Sequence, residues 1–241
     1  MKIILILIIL FTIPIATLAD QYGLYQPSEY QKNFSAEDGE KILFIMDFSN
    51  SMTESLDGAT KVELMLDTMK KILPKINPNV SVGLRIYGHR MGLTPVEACR
   101  ASLLVNPIKS NNTNNIAQSL MKTKPRGMTP ITFSLKQAIK YDFMGFNGKK
   151  HIILMTDGGE NCDESPCKFV MNLIKIRRDV SIDVIAFNIK DQDDLEQLQC
   201  TALVTSGKFY NAQTAAELLQ GFDNSIGSIK SVEAKIVLPK P

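Results

Sequence analysis

The strongest constraint on the fold is an alternation of apolar strands and helices that runs from residue 41 to about 225. Two of the strands, at 41–48 and 149–157, are continuous apolar runs ending on an acid, which is typical of strands buried on both faces. Such alternation predicts a mostly parallel sheet with helices on both faces. Because only a loop separates 81–89 from 102–108, we expect one antiparallel edge strand. The predicted fold is doubly wound α/β.

The remaining elements follow from periodicity. Apolar residues at helical spacing predict six helices, and alternation predicts two further strands. Met65 and Met69 lie on the apolar face of the first helix, where we interpret them as core filler. The helices are expected at 61–76, 116–120, 132–141, 169–176, 195–204 and 215–222, and the strands at 181–189 and 207–212.

Composition excludes several classes of protein. The chain has 241 residues, of which 44% are hydrophobic and 22% charged, so it can bury a full core and is not disordered. Its 14 Gly and 11 Pro show no period, which excludes a fibrous protein. A formal charge of +2 is too small for the long-range field of a nucleic-acid binder.

The first nineteen residues have the features of a secretory signal peptide. Lys2 precedes an apolar run at 3–15, and the segment closes on small residues, so cleavage is expected after Ala19. An uncleaved anchor is the alternative, but Pro14 interrupts the run before it reaches membrane-spanning length. We expect no span in the mature chain, a polar extended lead-in at 20–40, and export to the periplasm or the medium.

The four cysteines of the chain are consistent with export to an oxidising compartment. An even number in an oxidising compartment favours disulfides, whereas zinc would need thiolates paired at short spacing. Only Cys162 and Cys167 form a near pair, and neither of the two histidines is placed to help them. Disulfides are therefore the preferred interpretation, with three possible connectivities for Cys99, Cys162, Cys167 and Cys200.

Oxygen-bearing side chains follow the two acid-terminated strands. An extended chain after the first strand sends Asp47, Ser49 and Ser51 to one side, and Asp157 ends the other strand. Ligands bind at the carboxyl ends of strands in such sheets, and hard oxygen donors suit Mg²⁺, Mn²⁺ or Ca²⁺. Thr129 supplies a further hydroxyl just before a predicted helix, of which it would be the N-cap.

This pattern resembles the von Willebrand factor type A domains. Their metal-ion-dependent adhesion site uses Asp-x-Ser-x-Ser, a distant Thr and a distant Asp, matched here by the motif at 47–51, Thr129 and Asp157. The resemblance covers 41–225, and the segments at 87–90 and 157–162 look like those of secreted bacterial members. It implies a Rossmann-like sheet of order 3-2-1-4-5-6, a divalent cation and a protein partner that offers an acidic side chain. In that sheet order, Cys99–Cys162 with Cys167–Cys200 is the favoured pairing.

Other interpretations remain open. Taken singly, Ser49, Ser51 and Thr129 are ordinary helix caps, and His89 is a loop or packing residue. A structural or accessory subunit of an envelope assembly is the main functional alternative. A Mg²⁺-dependent phosphohydrolase is remote, because Ser49 stands where such enzymes place a second acid, so we expect no enzymatic activity. The tail at 226–241 is expected to include an extra strand at 232–238.

Overall fold

The computed structural model describes residues 39–162 and 164–233. The predicted signal peptide and most of the predicted lead-in lie outside these residues. Within them, six strands form the central sheet. They are β1 (Lys41–Asp47), β2 (Ser81–Tyr87), β3 (Ser102–Lys109), β4 (Lys150–Thr156), β5 (Val180–Phe187) and β6 (Phe209–Ala212).

The strand order is β3-β2-β1-β4-β5-β6. Only β3 is antiparallel to its neighbour, which confirms the predicted mostly parallel sheet with one antiparallel edge strand. In register, Asp47 lies beside Tyr87 of β2, and Met46 lies beside Met155 of β4. The carboxyl ends of these three strands therefore meet at one edge of the sheet.

Seven helices flank the sheet in the described part of the chain. Side chains of β1 alternate between two cores, with Phe44 and Met46 facing one and Leu43 and Ile45 the other. The first core packs against α1, α3 and α7, and includes the predicted core methionines of α1; the second packs against α4, α5 and α6. The helices are α1 (Lys61–Ile72), α2 (Pro95–Ala98), α3 (Thr113–Lys122), α4 (Ile131–Gln137), α5 (Pro166–Leu173), α6 (Gln192–Val204) and α7 (Ala215–Glu233).

Two local predictions were wrong. The chain after β1 stays extended only to Ser49, because Asn50–Thr53 forms a turn of 3-10 helix. The last helix, α7, continues to Glu233, so the start of the predicted tail and of its strand at 232–238 is helical. Apolar residues such as Ile226, which packs into the first core, prolong the helical repeat beyond its predicted end. Residues 234–241 lie outside the described part.

Both disulfides have the pairing that the resemblance favoured, Cys99–Cys162 and Cys167–Cys200. The first joins the loop between β2 and β3 to the loop that follows β4. The second joins two helices, α5 and α6, whereas loops were expected at both bonds. No helix within the described residues has the length and apolarity to cross a membrane.

Candidate metal centre

Asp47 links three adjacent strands at the carboxyl edge of the sheet. The residue is fully buried, and its Oδ1 accepts a hydrogen bond of 2.6 Å from the Ser49 backbone N–H. Its Oδ2 accepts from the Tyr87 hydroxyl at 3.0 Å and from the Thr156 hydroxyl at 2.9 Å, so the ends of β2 and β4 are both tied to β1. The backbone N–H of Asp157 approaches the same oxygen at 3.4 Å. The carboxylate is therefore held in one orientation.

Ser49, Ser51 and Asp157 bring three side-chain oxygens together beside Asp47. The two serine Oγ atoms lie 3.0 Å apart, and Ser51 Oγ donates to Asp157 Oδ1 at 2.7 Å. Ser49 Oγ lies 3.5 Å from the same carboxylate oxygen. Although Ser49 stands at the N-cap position of the 3-10 turn, its side chain makes no capping hydrogen bond. The two contacts with Asp157 join residues more than a hundred positions apart in the chain.

Thr129 reaches the same edge through its backbone. Gly127 pairs with Ser49 in an isolated parallel bridge, and the Asn50 N–H donates to the Gly127 carbonyl at 3.0 Å. The Thr129 N–H donates to Asn161 Oδ1 at 2.7 Å, which fixes Thr129 against the loop that follows Asp157. Within the described residues, no hydrogen bond joins the Thr129 hydroxyl to the other four predicted ligands. Thr129 as a residue is buried, with 4% of its surface exposed.

Thr129 is not the N-cap of α4, contrary to the sequence-based expectation. The N-cap position belongs to Pro130, which has no side-chain acceptor. Glu160 Oε2 takes that role instead and accepts from the Thr132 N–H at 2.6 Å. A carboxylate at a helix N-terminus satisfies an open backbone donor and is favoured by the helix dipole. The capping explanation for Thr129 is thereby removed.

A buried ammonium group borders the centre. Lys61, the first residue of α1, places Nζ 3.0 Å from Asp157 Oδ2 and 2.7 Å from Glu54 Oε2. Only 6% of the Lys61 side chain is exposed, whereas the Glu54 side chain is 63% exposed. The two oxygens of Asp157 thus have different partners, Oδ1 facing the serine hydroxyls and Oδ2 facing Lys61.

The charges and donor types fit a divalent cation. Burial and the nearby Asp157 carboxylate raise the pKa of Asp47 to about 7, although hydrogen bonds from Ser49 and Thr156 oppose the shift. Added positive charge at this position would favour the ionised form of Asp47. No group of three or more His, Cys, Asp or Glu side chains in the described ranges is placed to hold a metal. A cation here would therefore need serine and threonine hydroxyls, which suit Mg²⁺, Mn²⁺ or Ca²⁺.

Several neighbours of the centre were missed from the sequence. Tyr87 and Thr156 are the last residues of their strands, and nothing in the alternating pattern distinguishes them from core residues. Lys61 did carry a signal, because a cation in the first turn of a helix opposes the helix dipole and needs a local partner. Asn161 lies in a short polar segment whose contact with Thr129 depends on the fold.

The structure defines an α/β protein with oxygen donors grouped at the carboxyl edge of a parallel sheet. The chain belongs to the family described as the von Willebrand factor type A domain, whose model matches residues 41–224. One relative, the Bacillus subtilis (strain 168) protein named "Uncharacterized protein YwmC", is 27% identical over 208 residues, which cover 82% of this chain and 88% of the relative.

Solved structures share the fold at lower identity. Proximal thread matrix protein 1 from the mussel byssus, solved with a zinc-occupied MIDAS motif, is 20% identical with a TM-score of 0.60. The likeness covers 78% of this chain and 45% of that one, so this chain spans under half of the mussel protein. The PilB minor pilin of Streptococcus sanguinis is 15% identical with a TM-score of 0.62, covering 86% of this chain and 64% of the pilin.

Proposed function

We propose that this protein binds a protein partner through a divalent cation held by Asp47, Ser49, Ser51, Thr129 and Asp157, with Mg²⁺ as the expected ion. The observation that carries the proposal is the meeting of Ser49 Oγ, Ser51 Oγ and Asp157 Oδ1 beside the fixed carboxylate of Asp47. The bound ion would supply positive charge and a coordination position for an acidic side chain of the partner.

The chain's own residues supply the other requirements of such a site. Two carboxylates balance the charge of one divalent ion, and three hydroxyls add neutral oxygen ligands. The Thr129 hydroxyl, which within the described residues makes no hydrogen bond to the other four proposed ligands, is available for this role, since Glu160 serves the neighbouring helix terminus. Adhesin and pilin relatives of the fold make binding, rather than catalysis, the function that this geometry supports.

A phosphohydrolase would need Asp47 as an accessible nucleophile. Both of its oxygens instead accept hydrogen bonds, from the Ser49 N–H and from the hydroxyls of Tyr87 and Thr156, and the residue is fully buried. A carboxylate so engaged is poorly placed for attack on phosphorus. We therefore propose that the protein is not an enzyme.

We also propose that the protein is exported to the periplasm or the medium. Both pairs of cysteines form disulfides, which persist in oxidising compartments such as the periplasm or the medium. The predicted signal peptide, with cleavage after Ala19, would deliver the chain there. Mass spectrometry of the N-terminus of the secreted or periplasmic protein tests this step, and an intact first residue in that fraction would contradict it.

Calorimetric titration with MgCl₂ tests the metal site. Asp47→Ala should abolish Mg²⁺ binding, and Ser51→Ala should weaken it, while Ser55→Ala, an exposed serine beyond the same turn, should leave it unchanged. Undiminished Mg²⁺ affinity in Asp47→Ala would remove the proposal.

Capture of partners from envelope extract, with and without EDTA, then tests the binding role. Capture that EDTA and Asp47→Ala both prevent is expected. If EDTA leaves the capture of partners unchanged although the protein binds Mg²⁺, the protein is better explained as a structural subunit of an envelope assembly in which the metal is not essential.

A further inference from the structure

The loop at 88–101 holds large apolar side chains in water beside the candidate centre. Leu93 is 98% exposed, Met91 is 74% exposed and Val96 is 61% exposed. The loop joins β2 to β3, which pair up to Tyr87 and Ser102. It therefore emerges at the carboxyl edge of the sheet, where Asp47 and Asp157 also lie.

Hydrogen bonds and close packing fix the backbone that carries these exposed side chains. The Thr94 side chain accepts from the Glu97 N–H at 3.2 Å, and Glu97 Oε2 accepts in return from the Leu93 N–H at 2.8 Å, so α2 is capped at its start. Gly92 packs so closely on the backbone of Glu97 and Ala98 that no side chain fits there. The apolar side chains are thus held outward by a defined conformation, which lowers the entropy cost of binding on them.

The loop is continuous with the candidate centre. The Gly88 carbonyl accepts from the N–H groups of Arg126 and Gly127 at 3.0 and 2.7 Å, and Gly127 is the residue that pairs with Ser49. At its far end, Cys99 is bonded to Cys162 in the loop that follows Asp157.

Two arginine side chains make the surface around the candidate centre and loop 88–101 basic. Arg126, in the segment that leads to Thr129, and Arg90, in the loop itself, are both exposed. Positive side chains beside a cation site complement an acidic ligand and speed its approach. An acidic partner that docks here meets exposed apolar side chains next to its carboxylate.

We propose that loop 88–101 binds a large apolar side chain adjacent to the acidic residue with which the partner protein reaches the metal. The inference rests on the proposed function and narrows the partner to a protein segment in which aspartate or glutamate neighbours a residue such as leucine or phenylalanine. Leu93 and Met91 would be covered on binding, and burial of exposed apolar area supplies affinity that the carboxylate alone does not.

Selection of phage-displayed short random peptides tests the proposal with a defined probe. The purified protein is used in Mg²⁺ and in EDTA, and recovered peptides are synthesised and titrated against three forms of the protein. These are the wild type, the double variant Met91→Ser with Leu93→Ser, and the control Leu203→Ser. Leu203 is 58% exposed near the end of α6. This helix leads into the start of β6, at the amino ends of the parallel strands and away from the candidate centre.

Peptides recovered only in Mg²⁺ should pair an acid with a large apolar neighbour. The double variant should bind them about tenfold more weakly, as expected when one apolar side chain loses its contact. Leu203→Ser should bind them normally, and Mg²⁺ affinity should be equal in all three forms.

Other results overturn the inference in distinguishable ways. Mg²⁺-dependent acidic peptides without an apolar neighbour, bound equally by the double variant, would remove this inference and leave the proposed function intact. Failure to recover any Mg²⁺-dependent acidic peptide would remove both. Self-association in sedimentation that Leu93→Ser abolishes would show that a second copy of the chain covers the loop.

Discussion

The ammonium group of Lys61 lies 3.0 Å from Asp157 Oδ2, on the opposite side of that carboxylate from the serine hydroxyls. The pair is buried, since 6% of the Lys61 side chain and none of the Asp157 side chain is exposed. Removal of one partner from a buried ion pair leaves the other without compensation. Lys61 therefore stabilises the folded protein and would compete with the proposed metal for the same carboxylate.

Substitution of Lys61 by methionine should consequently tighten Mg²⁺ binding while it destabilises the metal-free protein. Loss of a positive charge beside a proposed ligand is expected to lower the dissociation constant about tenfold or more. Calorimetry gives the affinity, and urea unfolding in EDTA and in Mg²⁺ gives the stability.

Lys70→Met is the matched control for this prediction. It removes the same charge from an exposed position of the same helix, where Lys70 forms a surface ion pair with Asp67 at 2.9 Å. Lys70→Met should therefore change neither the Mg²⁺ affinity nor the free energy of unfolding by much. Equal Mg²⁺ affinity in Lys61→Met and wild type would show that Lys61 does not oppose the cation.

Thr129 should affect metal affinity more than stability. Its hydroxyl forms no hydrogen bond with the other proposed ligands in the described structure, so Thr129→Ala removes little from the folded protein. If the hydroxyl is a ligand, Mg²⁺ affinity should fall by roughly 10–100-fold, the range found when residues that support a metal site are removed. Thr129→Ser keeps the hydroxyl and should retain affinity, and loss of affinity in both variants would point to a packing effect instead.

Removal of each disulfide in turn should distinguish its contribution to stability from its contribution to Mg²⁺ binding. Each closes a long loop, with sequence separations of 63 and 33, so removal of either should cost about 4 kcal/mol of unfolding free energy by the chain-entropy estimate. Cys99–Cys162 also holds the segment whose Asn161 fixes Thr129. The double variant Cys99→Ser with Cys162→Ser should therefore weaken Mg²⁺ binding as well.

The second disulfide provides the control for that prediction. Cys167→Ser with Cys200→Ser should lose comparable stability in urea unfolding and keep its Mg²⁺ affinity. If both double variants bind Mg²⁺ as the wild type does, the first disulfide does not support the site.

Asp183 should make the fold sensitive to acid. The residue is buried, and burial alone would raise the pKa of its carboxyl, but His151 beside it and hydrogen bonds from Ser225 and the Lys208 N–H lower the pKa overall. A pKa below the unfolded value of about 3.9 means that the stabilisation is present above that pH. It is lost as the pH falls through the folded-state pKa.

The free energy of unfolding should thus decrease as the pH is lowered below about 4, and Asp183→Asn should show a shallower decrease. Urea unfolding across this pH range measures both slopes. Ser225→Ala keeps the carboxylate and removes its 2.6 Å donor, so its slope should fall between the two. Identical slopes in wild type and Asp183→Asn would exclude this carboxylate as the source.

Prediction from sequence succeeded where the pattern is periodic. The apolar runs that end at Asp47 and near Asp157 specify buried parallel strands, and the antiparallel edge strand β3 follows from its connection to β2 by a loop alone. Prediction failed where the outcome depends on contacts distant in sequence. The cap of α4 comes from Glu160, and the partner of Lys61 is Asp157, 96 positions away, so neither contact could be identified from the local sequence.

The disulfide between Cys99 and Cys162 has a consequence for the timing of biosynthesis. Its two cysteines lie on either side of Thr129 in the chain, so the bond cannot close until everything between them has been synthesised and released into an oxidising environment. Before the bond forms, this disulfide does not yet join loop 88–101 to the loop that follows Asp157. A chain held in a reducing environment would therefore have these two loops less firmly fixed to each other than the oxidised chain has.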